Sequence, residues 1–263
     1  MDIILFIQIL ACIVGACFGS FLNVLIYRLP NKMSIFYPPS ACVKCKNQLK
    51  FYHNVPIFGW IMLGGKCAFC KEKISFIYPV IEFICALIFF FCFKNIEEIN
   101  LYFLAKTCLL AIAFALLLAL CIIDIKYLAV PHLLLVFTLL LFFVANFSLQ
   151  TFNQILFFAG AAYLLKSILE AFINMKKDEK DCIQVMGEAD IEIIAIMGIL
   201  DKISYGFCAV FLAAIISLPV FFVVKLSGKN NIELPFIPFL SIAFALIYIF
   251  PNLAEWMLGF YGL

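Results

Sequence analysis

Residues 109–124 read Leu-Leu-Ala-Ile-Ala-Phe-Ala-Leu-Leu-Leu-Ala-Leu-Cys-Ile-Ile-Asp. Fifteen apolar side chains follow one another, and the run ends on a carboxylate. Carried back to Leu101, it exceeds the roughly 20 residues that an α-helix needs to cross a bilayer. A helix that is apolar on every face is buried in lipid or in a large core. The stretch therefore predicts a transmembrane helix over 101–123, with Asp124 at its edge. A charge drawn into hydrocarbon costs about 2.5–3.5 kcal/mol even on the lenient insertion scale, so an aspartate there needs a reason.

Further apolar runs lie near 3–27, 77–93, 128–147, 152–173, 183–200, 204–225 and 234–256. The chain of 263 residues is 67% hydrophobic and 13% charged, whereas a soluble domain is about half apolar and a quarter charged. The fold class this implies is all-α: a polytopic transmembrane bundle of about eight helices. The 32 phenylalanines suit lipid-facing surfaces, and membrane lipid is the expected surrounding. A net charge of +2 argues against a nucleic-acid partner. The first run lacks a basic n-region and a small-residue cleavage site, so it reads as a retained helix.

Basic residues orient the chain, because lysine and arginine collect on the cytoplasmic side. With the N-terminus outside, only Lys94, Lys106 and Lys202 of the 18 basic residues fall on the outer side. The segment 28–76 is then a cytoplasmic loop, and Asp124 falls at a cytoplasmic helix end. The segments expected are a first helix over 1–27, the loop over 28–76 and a helical core over 77–263. No internal repeat is evident.

The loop carries Cys42-Val-Lys-Cys45 and Cys67-Ala-Phe-Cys70. Two Cys-x-x-Cys units about twenty residues apart can complete a tetrahedral zinc shell, and a small loop without a core gains stability from such a staple. Four thiolates leave no open coordination position, which points to structural Zn2+. Reduced cysteines or a redox pair are the alternative. Eight other cysteines lie in or beside apolar runs, where Cys acts as a small hydrophobe. His53 reads as a loop surface residue and His132 as a residue near a helix start.

A second carboxylate cluster stands at Met186-Gly-Glu-Ala-Asp-Ile-Glu192, at the mouth of the sixth run. Both Asp124 and Asp190 fall at cytoplasmic helix ends. If they meet, like charges push one pKa up, so that one acid is protonated while the other is ionised. Such a pair can activate water and protonate a leaving nitrogen, which is peptide hydrolysis. Capping, or a pair between Asp124 and Lys126, is the competing reading. Glu188 and Glu192 read as solvated or supporting. Ser20 and Asn23, polar in an apolar helix, suggest interhelical hydrogen bonds or contact with a ligand.

These residues together resemble the bacterial type IV prepilin peptidases, also called leader peptidase/N-methyltransferases. The resemblance runs through Gly19-Ser20-Phe21-Leu22-Asn23-Val24 and Arg28-Leu29-Pro30. In the loop it covers Ser40, the four cysteines, Asn54-Val55-Pro56, Trp60, Ile74-Ser75, Tyr78-Pro79 and Glu82. It continues at Asp124, Pro131, Gly187-Glu188-Ala189-Asp190 and Pro235-Phe236-Ile237-Pro238-Phe239-Leu240. It implies an inner-membrane aspartyl endopeptidase with Asp124 and Asp190 catalytic, acting on the cytoplasmic side. The substrates implied are type 4 prepilins and pseudopilins, cut after a glycine. It also implies N-methylation of the new terminus with S-adenosylmethionine, an activity linked to the loop. Alternatives are a peptidase without methylation, or a proton-coupled protein of a pilus or secretion assembly. A proton path needs stations across the bilayer, whereas both acids here lie at one face.

Three positions depart from the family pattern. Ala189 replaces a motif glycine, which strains the turn if that position needs positive φ and suffices if it needs only smallness. Glu192 stands where a basic or polar residue is common. His132 stands where an acid often follows the proline.

Overall fold

The computed structural model describes residues 3–94, 100–175, 186–226 and 234–260. Among these, backbone pairing outside helices is limited to two isolated bridges, Ala41 with Gln48 and Lys66 with Lys73. The chain divides into two units, Met1–Ala119 and Leu120–Leu263.

In the first unit, helix α1 (Ile3–Arg28) packs antiparallel on α3 (Ile77–Lys94). Small residues allow the close approach. A Cβ built on Gly19 would come within 2.7 Å of the Glu82 Cα, and one on Gly15 within 2.7 Å of the Cys85 carbonyl oxygen. The same face carries the fully packed Leu22 and Cys85. The loop between them holds a 3-10 turn (Phe51–Asn54) and the short helix α2 (Phe58–Met62). Buried Arg28 gathers the loop's start by donating to the carbonyls of Ser34, Ile35 and Pro38 at 3.0, 3.1 and 2.6 Å. Helix α4 (Leu101–Tyr127) begins in this unit, with Ala111, Ala113, Ala115 and Ala119 fully buried.

The second unit takes the end of α4 and then α5 (His132–Ala145), α6 (Leu149–Asn174), α7 (Glu188–Ile196), a 3-10 turn (Met197–Ile199), α8 (Ile203–Leu226), α9 (Ile237–Ile249) and α10 (Pro251–Phe260). Helix α4 stops where Leu128 turns to φ 50° and its N–H closes on the Asp124 carbonyl at 3.0 Å, a left-handed terminus. Helix α6 starts on Ser148, whose hydroxyl accepts from the Thr151 N–H at 3.0 Å. The short α7 lies at the centre, packed by α5, α6 and α9. Every residue from Ile193 to Leu200 is buried. Gly198 lets this segment press on α6: a Cβ there would stand 2.5 Å from the Ile155 nitrogen.

Among the described residues five helices, α1, α3, α4, α6 and α8, are long and apolar enough to cross a membrane, and α9 with α10 makes a sixth if the pair is one span. That pair bends by 95° at its break, where Pro251 removes a backbone donor. The eight apolar runs thus include two short helices. The 14 residues of α5 reach roughly 21 Å at the helical rise, below the bilayer's hydrocarbon thickness. The nine residues of α7 reach less. Hydropathy measures apolar content, and a helix buried in protein scores like one buried in lipid.

Candidate functional site

Asp124 sits near the C-terminal end of α4 and is 8% exposed. A carboxylate is poorly placed at its own helix's C-terminus, where the dipole is negative. Here it turns to another helix's start: its Oδ2 accepts from the Ile237 N–H at 3.3 Å, at the first turn of α9. The stretch Pro235–Pro238 builds that amide end. Lys126 is exposed and makes no ion pair with Asp124 among the described residues.

Asp190 lies in the first turn of α7, half-buried, together with Glu188. Gly187 is the N-cap, and its amide hydrogen bonds to the Asp190 carboxyl, one half of a capping box. Helix α7 is outside the long apolar helices. Burial, followed by the neighbouring Asp124 charge, pushes the Asp190 carboxyl up to about 6, against the Gly187 amide and the Lys166 charge on α6. The two aspartates are therefore within electrostatic reach, where α4 ends and α7 and α9 begin. Two such groups titrate as a pair. One retained proton and one free carboxylate can together activate water and protonate a leaving group.

Gly187 has φ −63°, a value open to any residue, and Ala189 is inside α7 without positive φ. Smallness at 189 therefore suffices. Glu188 is exposed, whereas Glu192 pairs its Oε1 with the His132 Nδ1 at 2.9 Å. His132 is thus tied to α7, a link its place near a helix start did not suggest.

The four loop cysteines come together, all four sulfurs lying within 4.8 Å of one another. Cys42 and Cys70 sulfurs are 3.8 Å apart, and Cys45 and Cys67 sulfurs 4.0 Å. Sulfurs about 2.3 Å from a tetrahedral zinc stand about 3.8 Å apart, so the set fits a metal of that kind. Amides of Cys70 and Phe69 pull the Cys67 thiol down to about 6. Amides of Cys45 and Lys44 lower the Cys42 thiol. Backbone donors thereby favour the thiolate at Cys42 and Cys67, whereas the Cys70 thiol, despite the Glu72 amide, is pushed up to about 11 by burial and the neighbouring sulfurs. Of the neighbouring lysines, Lys44 pairs with Glu72 at 2.8 Å.

The two knuckles are also a short structural repeat, unexpected from sequence. Cys42 N–H donates to Asn47 and Lys46 N–H to Cys42; Cys67 N–H donates to Glu72 and Lys71 N–H to Cys67. The residue after each pair is left-handed, Lys46 at φ 58° and Lys71 at 59°. Only Cys-x-x-Cys-Lys is shared in sequence, so the repeat lies in backbone bonds that unlike side chains permit. His53 is half-buried, its ring edge-on to Tyr52 and Phe69 at 4.4 and 5.9 Å between centroids.

At the ends of α1 and α3, Asn23 Nδ2 donates to the Tyr78 carbonyl at 3.3 Å, an interhelical bond of the kind its polarity suggested. Ser20 hydrogen bonds to Glu82. Glu82 itself, one acid in an apolar run, was legible only as part of a motif.

Sequence comparison matches the chain in two parts. The Bacterial Peptidase A24 N-terminal domain matches residues 13–96, which hold the four cysteines. The Type IV leader peptidase family matches residues 111–222, which hold both aspartates. The prepilin leader peptidase/N-methyltransferase of Vibrio cholerae is 31% identical over 250 residues, 91% of this chain and 95% of that protein. The one from Myxococcus xanthus is 41% identical over 83 residues, 32% of this chain and 25% of that protein. The type 4 prepilin-like proteins leader peptide-processing enzyme of Escherichia coli is 35% identical over 99 residues, 31% of this chain and 37% of that protein. No solved structure matches the chain.

Proposed function

The chain belongs to the type IV leader peptidase family, and from that premise we propose that it is a membrane endopeptidase that removes prepilin leaders and N-methylates the new terminus. The observation that carries the proteolytic half is the approach of Asp124 and Asp190 in the second unit. In this reading they are the catalytic residues. The pair shares one proton; the ionised member draws a proton from water, which attacks the scissile carbonyl. The protonated member polarises that carbonyl and then protonates the leaving nitrogen. The substrates are type 4 prepilins or pseudopilins, whose apolar segment lies in the bilayer while the leader junction reaches the site.

Methylation belongs in this reading to the first unit, with S-adenosylmethionine as the donor implied by the resemblance. Cys42, Cys45, Cys67 and Cys70 hold zinc, which staples the loop and supplies no open position for chemistry. What supports zinc is the sulfur spacing and the amide donors around it. The membrane is the bacterial inner membrane, with the N-terminus outside and the loop and both aspartates on the cytoplasmic side; the distribution of basic residues supports this orientation. Within the first unit the loop over 28–76 serves methylation, and proteolysis is carried by the part of the core over 77–263 that holds both aspartates.

The test is reconstitution of the purified chain with a prepilin, following leader loss by mass and then the gain of one methyl group. An intact prepilin after incubation with the wild-type protein would refute the proteolytic reading.

A further inference from the structure

A buried carboxylate in the first unit remains without a part in either reaction. Glu82, five residues into α3, is 8% exposed. Among the described residues no lysine, arginine or histidine pairs with it. A buried charge without a counter-ion is costly unless hydrogen bonds compensate, and an apolar side chain would avoid that cost. Its Oε2 accepts from the Ile57 N–H at 2.6 Å, a short bond. The Ser20 hydroxyl supplies a second bond from α1. The helices meet at this level, where Gly19 abuts the Glu82 backbone.

The donor is unusual. Ile57 has φ 61° and ψ −55°, the rare classic γ-turn conformation closed by the Phe58 N–H on the Pro56 carbonyl at 2.6 Å, which a β-branched residue adopts only when its surroundings impose it. Ile57 is the N-cap of α2, so its placement sets where that helix starts. Helix α2 in turn carries Trp60 into the second cysteine knuckle. Trp60 Nε1 donates to the Ile74 carbonyl at 3.2 Å. The Trp60 carbonyl accepts from the Gly65 N–H at 2.9 Å, and its ring packs edge-on against Phe76 at 5.4 Å. A continuous path therefore runs from Glu82 through Ile57, α2 and Trp60 to the residues that flank Cys67 and Cys70.

We propose that Glu82 is a positioning residue for methyl transfer, holding α2 and the second knuckle in fixed register on the ends of α1 and α3. This rests on the assignment of methylation to the first unit. Proteolysis, served by aspartates of the second unit, does not depend on this register.

The full-length chain is reconstituted with a prepilin as wild type, Glu82→Ala and Glu82→Gln. Leader loss, methyl gain, bound zinc and backbone amide exchange over residues 55–60 are measured. Glu82→Ala lowers methylation about tenfold or more, the loss expected when one buried hydrogen bond is removed and its donor left unpaired. It leaves cleavage and zinc content near wild type and speeds exchange at Ile57. Glu82→Gln, whose side-chain carbonyl still accepts the Ile57 amide, restores both methylation and protection. Unchanged methylation or exchange in Glu82→Ala overturns the proposal, as does a Gln variant as defective as Ala. Loss of cleavage together with methylation in Glu82→Ala also counts against it, because the role would then be general folding. A wild-type protein that cleaves without methylating sinks the second activity alone, and the exchange measurement still judges Glu82.

Discussion

His132 Nδ1 and Glu192 Oε1 stand 2.9 Å apart, tying the first residue of α5 to α7 two positions beyond Asp190. Both residues depart from the family pattern, one basic where an acid is common and the other acidic where a basic or polar residue is common. The two departures meet each other. The contact joins opposite charges when His132 is protonated. His132 is 78% exposed and Glu192 23%, so the pair is worth about 0.2–1 kcal/mol. His132→Glu sets two acids against each other and lowers thermal stability in detergent. Adding Glu192→Lys to that variant restores it. A double variant no more stable than His132→Glu would show that the contact carries no coupling.

Asp124→Asn and Asp190→Asn each leave an inserted protein that no longer cleaves prepilin, because neither variant can pass a proton between two carboxyls. The expected loss is about a hundredfold or more, read as leader removal per enzyme in vesicles. Cleavage persisting in either variant at a tenth of the wild-type rate would exclude the pair as the acid and base.

Asp190 makes a stability prediction with a definite sign. Its carboxyl is held at about 6 against an ordinary 3.8, burial being the main cause. A raised folded-state value means the fold favours the protonated form. That contribution is complete below pH 3.8 and is lost as pH rises through about 6. Asp190→Asn, neutral at every pH, therefore gains stability over wild type as pH rises from 4 to 7. The difference is of order 1–3 kcal/mol at neutral pH, and Tm at the two pH values measures it. A difference independent of pH would mean that the carboxyl is not burdened by its surroundings.

Removing the metal should uncouple the two activities. Cys67→Ser, or a strong chelator, releases one zinc per chain, loosens both knuckles and abolishes methylation while leaving leader cleavage in place. Metal analysis together with both assays checks this. Purified wild type without zinc would leave the sulfur cluster without its proposed occupant.

Gly198 tests whether α7 must sit where it does. Gly198→Val drives a side chain into the α6 backbone at Ile155 and displaces the segment that carries Asp190. Overpacking of this kind costs about 1–3 kcal/mol, and cleavage should fall more steeply than methylation. Equal losses of both would indicate a global defect.

The amino-acid sequence determined by itself the membrane class, the long helices and the four-cysteine cluster. Each is local: an apolar run above a threshold length, or two Cys-x-x-Cys units whose spacing brings thiolates together once the turn closes. Tertiary structure alone decided which apolar runs are long spans and which are short helices, since the run of α5 is as apolar as its neighbours while the helix has only 14 residues. It alone set Asp190 within electrostatic reach of Asp124, on a nine-residue helix packed among α5, α6 and α9. It also placed the Ile237 amide on Asp124, the Ile57 amide on Glu82 and His132 on Glu192. Those partners lie far apart along the chain, and each contact is specified by backbone groups or by the packing of whole helices, which no local pattern of side chains encodes.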